Sequence, residues 1–322
     1  MNYIVFRVDT DLWTEMYRAL ENDKRVFIIP RPLNESMRFL RRMLFSTKLN
    51  RIVDVPFKKN WIKSALKKCS FKSEDRVCVL LFDAAYEIYN HQMFEELKKK
   101  YKNLKVVFIW ENPIDEESMS KFKKIEGNID AVYTFDKELA KRMNWEYYQF
   151  PYSGKINEEE NCDISDLYFL GANKGRITLL NNICRSAKNH GLTCDFNVVG
   201  VGENDIDQST GISYNKPLNY AENIRRLRAT RCLFESVQKS YNHSTIRTIE
   251  ALYYRKKLLT TNKDALKNTY ATPRIVKVLE GAELTNTDVY FIKENVSEND
   301  FPPREEFSPW KLVRKIEDKL DE

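Results

Sequence analysis

RVCVLLFDAAYEIYNHQMFEELKKKYKNLKVVFIW, residues 76–110, decides the fold class. Unbroken apolar runs at 77–82 and 106–110 are strand-sized, and residues 86–100 between them carry apolar positions at helical spacing with a charged opposite face. Strands that are apolar on both faces belong inside a parallel sheet, and parallel neighbours need a helical crossover of about this length. Working outward, β-rich runs at 3–8, 25–29 and 51–55 precede this unit, a helical pattern at 116–124 and a strand at 129–133 follow it, and the alternation repeats. The first half therefore reads as α/β, a parallel sheet with helices on both faces.

After Pro151 the polar stretch YSGKINEEENCDIS has no periodicity and reads as a linker. Beyond it the alternation restarts, with strands expected at 166–170, 194–199, 231–234, 257–260 and 274–278. Helices are expected at 175–189, 217–228, 245–254 and 309–319. At 322 residues the chain is about twice the usual domain size. The expectation is an α/β protein of two tandem Rossmann-like domains, 1–152 and 153–322, facing across a cleft. Ligands in such sheets bind beyond the carboxyl ends of the strands.

Hydrophobic residues at 42% and charged residues at 31% exclude a disordered chain. No apolar run approaches the roughly 20 residues of a membrane span. The start, MNYIVFRVDTDLW, has no basic leader and no small-residue cleavage site, so a cytoplasmic protein is expected. Six cysteines without a CxxC and three scattered histidines predict reduced structural thiols and no metal site.

Net charge is +6, from 53 Lys/Arg and 47 Asp/Glu, and residues 1–150 carry all of it. Residues 24–76 alone hold 15 basic and 4 acidic side chains. Within them Leu33, Met37, Leu40 and Leu44 share one helical face and Arg38, Arg41 and Arg42 lie elsewhere, while Phe57, Trp61 and Ala65 alternate with Lys59, Lys63 and other lysines. Such a segment is either a pair of core-packed helices with solvated basic faces or a surface for an anionic membrane or acceptor, where each cation adds about 1 kcal/mol. Nucleic acid is not expected, because no reading motif accompanies the charge.

Two stretches carry chemistry. In DLYFLGANKGRITLL, 166–180, a strand runs into a loop with Gly171, Lys174, Gly175 and Arg176 and then directly into a helix. Glycines admit close approach of an oxyanion, a helix start offers unpaired N–H groups, and the two cations add full charge, which together specify a diphosphate site. In LFESVQKSYNHSTIRTIEALYYRKKLLTTN, 233–262, a second helix begins beside Ser244, Thr245 and Arg247, with Glu250 one turn on. Hydroxyls and Arg247 suit phosphate, and Glu250 suits ribose hydroxyls. VVGVGEND, 198–205, has Asp205 where the third glycine of a dinucleotide fingerprint belongs, and that reading is rejected.

With these residues in view, DAVYTFDKELAKRMNWEYYQFPYS (130–153), DLYFLGANKGR (166–176), Tyr220-x-Glu222-x-Ile224, IRTIEAL (246–252) and KKLLTTN (256–262) resemble bacterial glycosyltransferases of the two-Rossmann, GT-B type from lipopolysaccharide and capsule gene clusters. The resemblance covers about residues 105–280. It implies a C-terminal domain that binds a nucleotide-diphospho-sugar, with donor roles for Lys174, Arg176, Thr245, Arg247 and Glu250, and an N-terminal acceptor domain. The segment similar to Q-x-G-x-T-x-R is here 238–247, with SYNHS inserted and no glycine, and Asn242 stands where an E-x7-E pair would have its first glutamate.

The implied activity is metal-independent, cofactor-free transfer of a sugar to a lipopolysaccharide, capsule or other lipid-linked acceptor, in the cytoplasm or peripherally on the inner face of the cytoplasmic membrane. An inverting reaction needs a base on the first domain. Asp83, directly after the strand at 77–82, is the first candidate, with Asp9 and Glu111 in reserve. A nucleotide-sugar epimerase and a non-catalytic nucleotide-sugar-binding scaffold are the alternatives on the same architecture.

Overall fold

The computed structural model describes residues 1–8, 10–29, 58–83, 91–156, 165–237 and 245–322, with single positions at 36, 39, 40 and 43. The chain divides into two compact units, Met1–Gly154 with Ser308–Glu322, and Lys155–Phe307.

Unit 1 is built on a parallel sheet ordered β2-β1-β3-β4-β5-β6. Its strands are β1 (Asn2–Val5), β2 (Val26–Ile28), β3 (Arg76–Phe82), β4 (Asn103–Trp110), β5 (Ala131–Thr134) and β6 (Glu146–Tyr147). The strand expected at 51–55 lies outside the described residues. The helices are α1 (Asp11–Tyr17), α2 (Lys58–Leu66), α3 (His91–Lys100), α4 (Glu116–Lys123) and α5 (Lys137–Met143). Central β3 is buried on both faces, as its unbroken apolar run requires: Val77, Val79 and Leu81 pack with Met93, Phe94 and Leu97 of α3, while Phe82 meets Trp13 and Tyr17 of α1 edge-on.

Unit 2 repeats the scheme with the order β12-β11-β10-β7-β8-β9, again all parallel. Its strands are β7 (Ser165–Ala172), β8 (Cys194–Val199), β9 (Ser213–Tyr214), β10 (Thr230–Glu235), β11 (Lys257–Thr260) and β12 (Val276–Val278). The helices are α6 (Ile177–Asn189), α7 (Tyr220–Arg228), α8 (Ile246–Tyr253) and α9 (Asn286–Lys293). Strands β7 and β10 are neighbours, yet the chain leaves them for opposite sides of the sheet, so the switch point of the topology lies between them. Phe196 stacks on Phe234 at 5.6 Å in the core beneath.

The last helix, α10 (Pro309–Asp321), was expected with the second domain and instead belongs to unit 1. It buries Pro309, Leu312, Val313 and Ile316. Trp310 Nε1 donates to Ala19 O at 3.2 Å, Tyr133 donates to Lys315 O at 3.1 Å, and Glu317 faces the Met1 ammonium at 3.6 Å. An amphipathic pattern gives a helix and its apolar stripe, but any open sheet face can accept that stripe, which is why sequence order misplaced it.

Leu40, placed by periodicity on a buried face, is 48% exposed, as are Phe39 at 64% and Met43 at 43%. Arg38, Arg41 and Arg42 lie outside the described residues, as does the side chain of Lys59. Lys63 is paired with Glu96 of α3 at 3.2 Å. The five described cysteines are unbridged. Among the described residues no helix is long and apolar enough to cross a membrane.

Candidate active site

The two loops singled out by sequence follow β7 and β10, so the switch point of unit 2 brings them together. Lys174 (φ 44°) and Gly175 (φ 77°) both adopt left-handed backbone, which turns the chain sharply from β7 into α6 and leaves the Lys174 side chain exposed. Gly171 has a different reason. A Cβ there would stand 3.0 Å from the Phe169 ring and 3.3 Å from Arg176 Nη2, so glycine gives the guanidinium room to fold back over its own strand.

That folding back changes the role expected for Arg176. Its Nε donates to Asn173 O at 3.2 Å, Nη2 to Ala172 O at 2.5 Å and Nη1 to Ser236 O, and its guanidinium lies over Phe169. Burial lowers its pKa. With these donors on carbonyls, Arg176 ties the β7–α6 loop to the end of β10 and is not presented to an anion. The helix starts are likewise occupied. Asn173 Oδ1 accepts from the N–H groups of Arg176 (3.1 Å) and Ile177 (3.0 Å), and Thr245 Oγ1 accepts from those of Arg247 (3.0 Å) and Thr248 (3.3 Å). These four N–H groups are capped by the chain itself and are not offered to an anion.

Arg247 and Glu250 supply them. On α8 they form an i, i+3 ion pair at 2.8 Å, with Glu250 only 2% exposed and Arg247 17%. The pair's angle leaves Arg247 Nη1 and Glu250 Oε2 buried without a hydrogen bond. Arg247 Nη2 reaches Leu170 O at the end of β7, 3.4 Å away, and Tyr220 of α7 donates to Glu250 Oε1. Burial, the largest single effect, would lower the Arg247 pKa; Glu250, Tyr168, Tyr220 and Glu235 together outweigh it and the pKa is raised. Ser244 lies outside the described residues.

Sequence reasoning passed over Glu235, the last residue of β10. It is 4% exposed and accepts from Thr245 through Oε1 and from Thr260 through Oε2. Burial raises its pKa, against the two hydroxyls and the charges of Arg247 and Arg176. A carboxylate closing an otherwise apolar strand, LFE, was the available signal.

In unit 1, Asp9 lies outside the described residues. Asp83 accepts from the N–H of Glu111 (3.0 Å) and, through its other oxygen, from the backbone (3.1 Å) and side-chain amide (3.0 Å) of Asn112. It is thereby a tie between the ends of β3 and β4, with both oxygens engaged. Glu111 is the group this tie positions. Half-buried, it accepts from Tyr17 at 2.9 Å, and Tyr17 stacks on Trp13 at 4.8 Å. Burial, and then the charge of Asp83, push the Glu111 carboxyl up to about 8, against the Tyr17 hydrogen bond. Of the two candidates, Asp83 ties the strand ends and Glu111 carries the raised carboxyl.

No family model matches the chain, and no curated protein matches it in sequence. Solved structures match in fold. Anabaena Alr3699/HepE, solved in complex with UDP and glucose, is 9% identical over 100% of this chain and 99% of its own, with a TM-score of 0.56. The sucrose-phosphate synthase of Thermosynechococcus elongatus is 11% identical over 99% and 88%, with a TM-score of 0.51. A Listeria monocytogenes protein assigned as a UDP-N-acetylglucosamine 2-epimerase is 9% identical over 100% and 88%, also at 0.51. At such identities the likeness is one of fold, and the fold is the two-unit α/β architecture of GT-B glycosyltransferases.

Proposed function

We propose that this protein is a glycosyltransferase that moves a sugar from a nucleotide-diphospho-sugar to a hydroxyl of a lipopolysaccharide, capsule or other lipid-linked glycan. The observation that carries the reading is the Arg247–Glu250 pair. It is a buried cation and carboxylate that meet each other at 2.8 Å, at the switch point of unit 2 beside the β7–α6 loop. A buried arginine and glutamate at the carboxyl ends of a parallel sheet are groups that a phosphate and a ribose can engage. Arg247 and exposed Lys174 would meet the diphosphate, and Glu250 the ribose. In the reaction the bond from the anomeric carbon to the diphosphate breaks as the acceptor oxygen attacks, and the charge gathering on the leaving group is offset by these cations. Glu111, ionised, takes the acceptor's proton. Neither role calls for a metal.

The test is binding of UDP and of uridine to the wild type and to Arg247→Ala. A lost charge-assisted contact of about 1.5–3 kcal/mol predicts a drop of roughly tenfold or more for UDP and little change for uridine. Equal losses for both, or none, would remove Arg247 from the phosphate. The resemblance of fold to the Listeria protein favours a nucleotide-sugar epimerase as the second reading. Incubating nucleotide-sugars without acceptor separates the two, since an epimerase returns an isomer and a transferase returns the donor or its hydrolysis products.

A further inference from the structure

Glu235 has no part in the scheme above, yet it is bonded to the start of the helix that carries Arg247. Its carboxylate is the meeting point of three elements: its own strand β10, the start of α8 through Thr245, and the end of β11 through Thr260. Thr245 acts as a relay, since the hydroxyl that donates to Glu235 is the one that accepts from the N–H groups of Arg247 and Thr248. The first turn of α8, and with it the Arg247 side chain, is therefore set by this carboxylate. Next to it, Ser236 O receives Arg176 Nη1, which fastens the β7–α6 loop to the same point. The charged groups acting on Glu235 are Arg247 from α8 and Arg176 from the β7–α6 loop, and the hydroxyls facing it are those of Thr245 and Thr260.

We propose that Glu235 is a positioning residue of the anion site that holds the first turn of α8 through Thr245 and takes up a proton when a nucleoside diphosphate binds. The inference rests on the donor-site reading and assigns that site its proton linkage. Its physical basis is competition for Arg247. In the free protein the charge of that cation lowers the Glu235 pKa, against a burial that raises it. A bound diphosphate draws on the same cation and adds negative charge nearby, and both changes favour the protonated carboxyl. The carboxyl then keeps an oxygen for Thr245, so the cap of α8 survives the change of charge.

Proton uptake on binding means that affinity is higher at low pH. The experiment is isothermal titration of the full-length protein with UDP from pH 5.5 to 8.5, in buffers of different ionisation heat, for the wild type and Glu235→Gln. The glutamine keeps an acceptor for Thr245 but cannot titrate, and subtracting its proton count removes the titration of UDP itself. Wild type is expected to take up more protons than the variant. Its affinity should fall relative to the variant by up to about tenfold per pH unit between the carboxyl's pKa in the free protein and its higher pKa in the complex.

Thr260→Val provides a second arm that leaves the carboxylate in place. Removing one hydroxyl donor raises the carboxyl further, so the pH of maximal uptake should move up. Equal proton counts for wild type and Glu235→Gln at every pH, or an unmoved maximum in Thr260→Val, would overturn the inference while leaving the donor site standing. Failure of the wild type to bind UDP at all would bring down the donor-site reading itself.

Discussion

Glu111 and Asp83 are both carboxylates placed just past the end of a central strand, and the sequence shows no difference between them. Their partners do. Asp83 is held by three N–H donors and serves the backbone, whereas Glu111 has one phenol, a half-buried setting and a negative neighbour. If Glu111 is the base, sugar transfer rises with pH and inflects near 8, since only the ionised form accepts the proton. Glu111→Gln then lowers kcat by about 10²- to 10⁴-fold and leaves UDP affinity unchanged. A pH–rate profile that is flat from pH 6 to 9 would take Glu111 out of the reaction.

The same shift acts on stability. The folded carboxyl holds its proton to a higher pH than the unfolded one, so the wild type loses stability as pH rises from about 4.5 toward 8. Over that window Glu111→Gln should gain on it, by a few kcal/mol at most because the group is half-open to water, in denaturant titrations at pH 5 and pH 8.5.

Helices α6 and α8 begin where the phosphate reading put them, within a residue or two, but each begins with its own cap. Asparagine and threonine ahead of a helix are the ordinary residues for that task, and in the proposed donor site the charged contacts are assigned to Lys174 and Arg247. Helix α9 ends in a comparable way. Lys257, 3% exposed at the start of β11, donates to the carbonyls of Phe291, Ile292 and Glu294, a use of a buried lysine that no spacing in the sequence announces.

The basic stretch at 24–76 is tested as an element. Exposed Phe39, Leu40 and Met43 beside a local excess of Lys and Arg fit a surface for anionic lipid, although Lys63 is already paired with Glu96. Binding to phosphatidylserine vesicles should be measurable at low salt and weaken as salt rises, because exposed charges are screened over about 8 Å at physiological ionic strength. Changing Arg38, Arg42, Lys59 and Lys63 to Glu should abolish it without touching UDP binding. Equal binding to neutral and acidic vesicles would reduce the charge to a solvated helix face.

The chain enters unit 2 at Lys155 and returns to unit 1 at Ser308, so its last helix completes a unit whose other residues end at Gly154. Four apolar side chains and the Met1–Glu317 pair go with that helix, and each buried aliphatic group contributes on the order of 1.5–3 kcal/mol. All five tryptophans belong to unit 1, so their fluorescence reports on it alone. Ending the chain at residue 307 should lower the unfolding midpoint followed by tryptophan by well over 5 °C while UDP binding by unit 2 persists. An unchanged tryptophan transition would show that α10 adds nothing to unit 1.

The sequence by itself determined what depends on neighbours along the chain. It set the unbroken apolar runs that became β3 and β4, the alternation that repeats after residue 151, and the two loops with cations and a helix start. These are local because periodicity and propensity act over a few residues. Only the tertiary structure decided which sheet receives α10, that Arg176 is a tie and Arg247 a buried partner of Glu250, that the Glu111 carboxyl is pushed up, and that Glu235 holds the start of α8 through Thr245. Each of these depends on burial or on partners tens to hundreds of residues away, and desolvation is a property of the packed interior that no stretch of sequence carries alone.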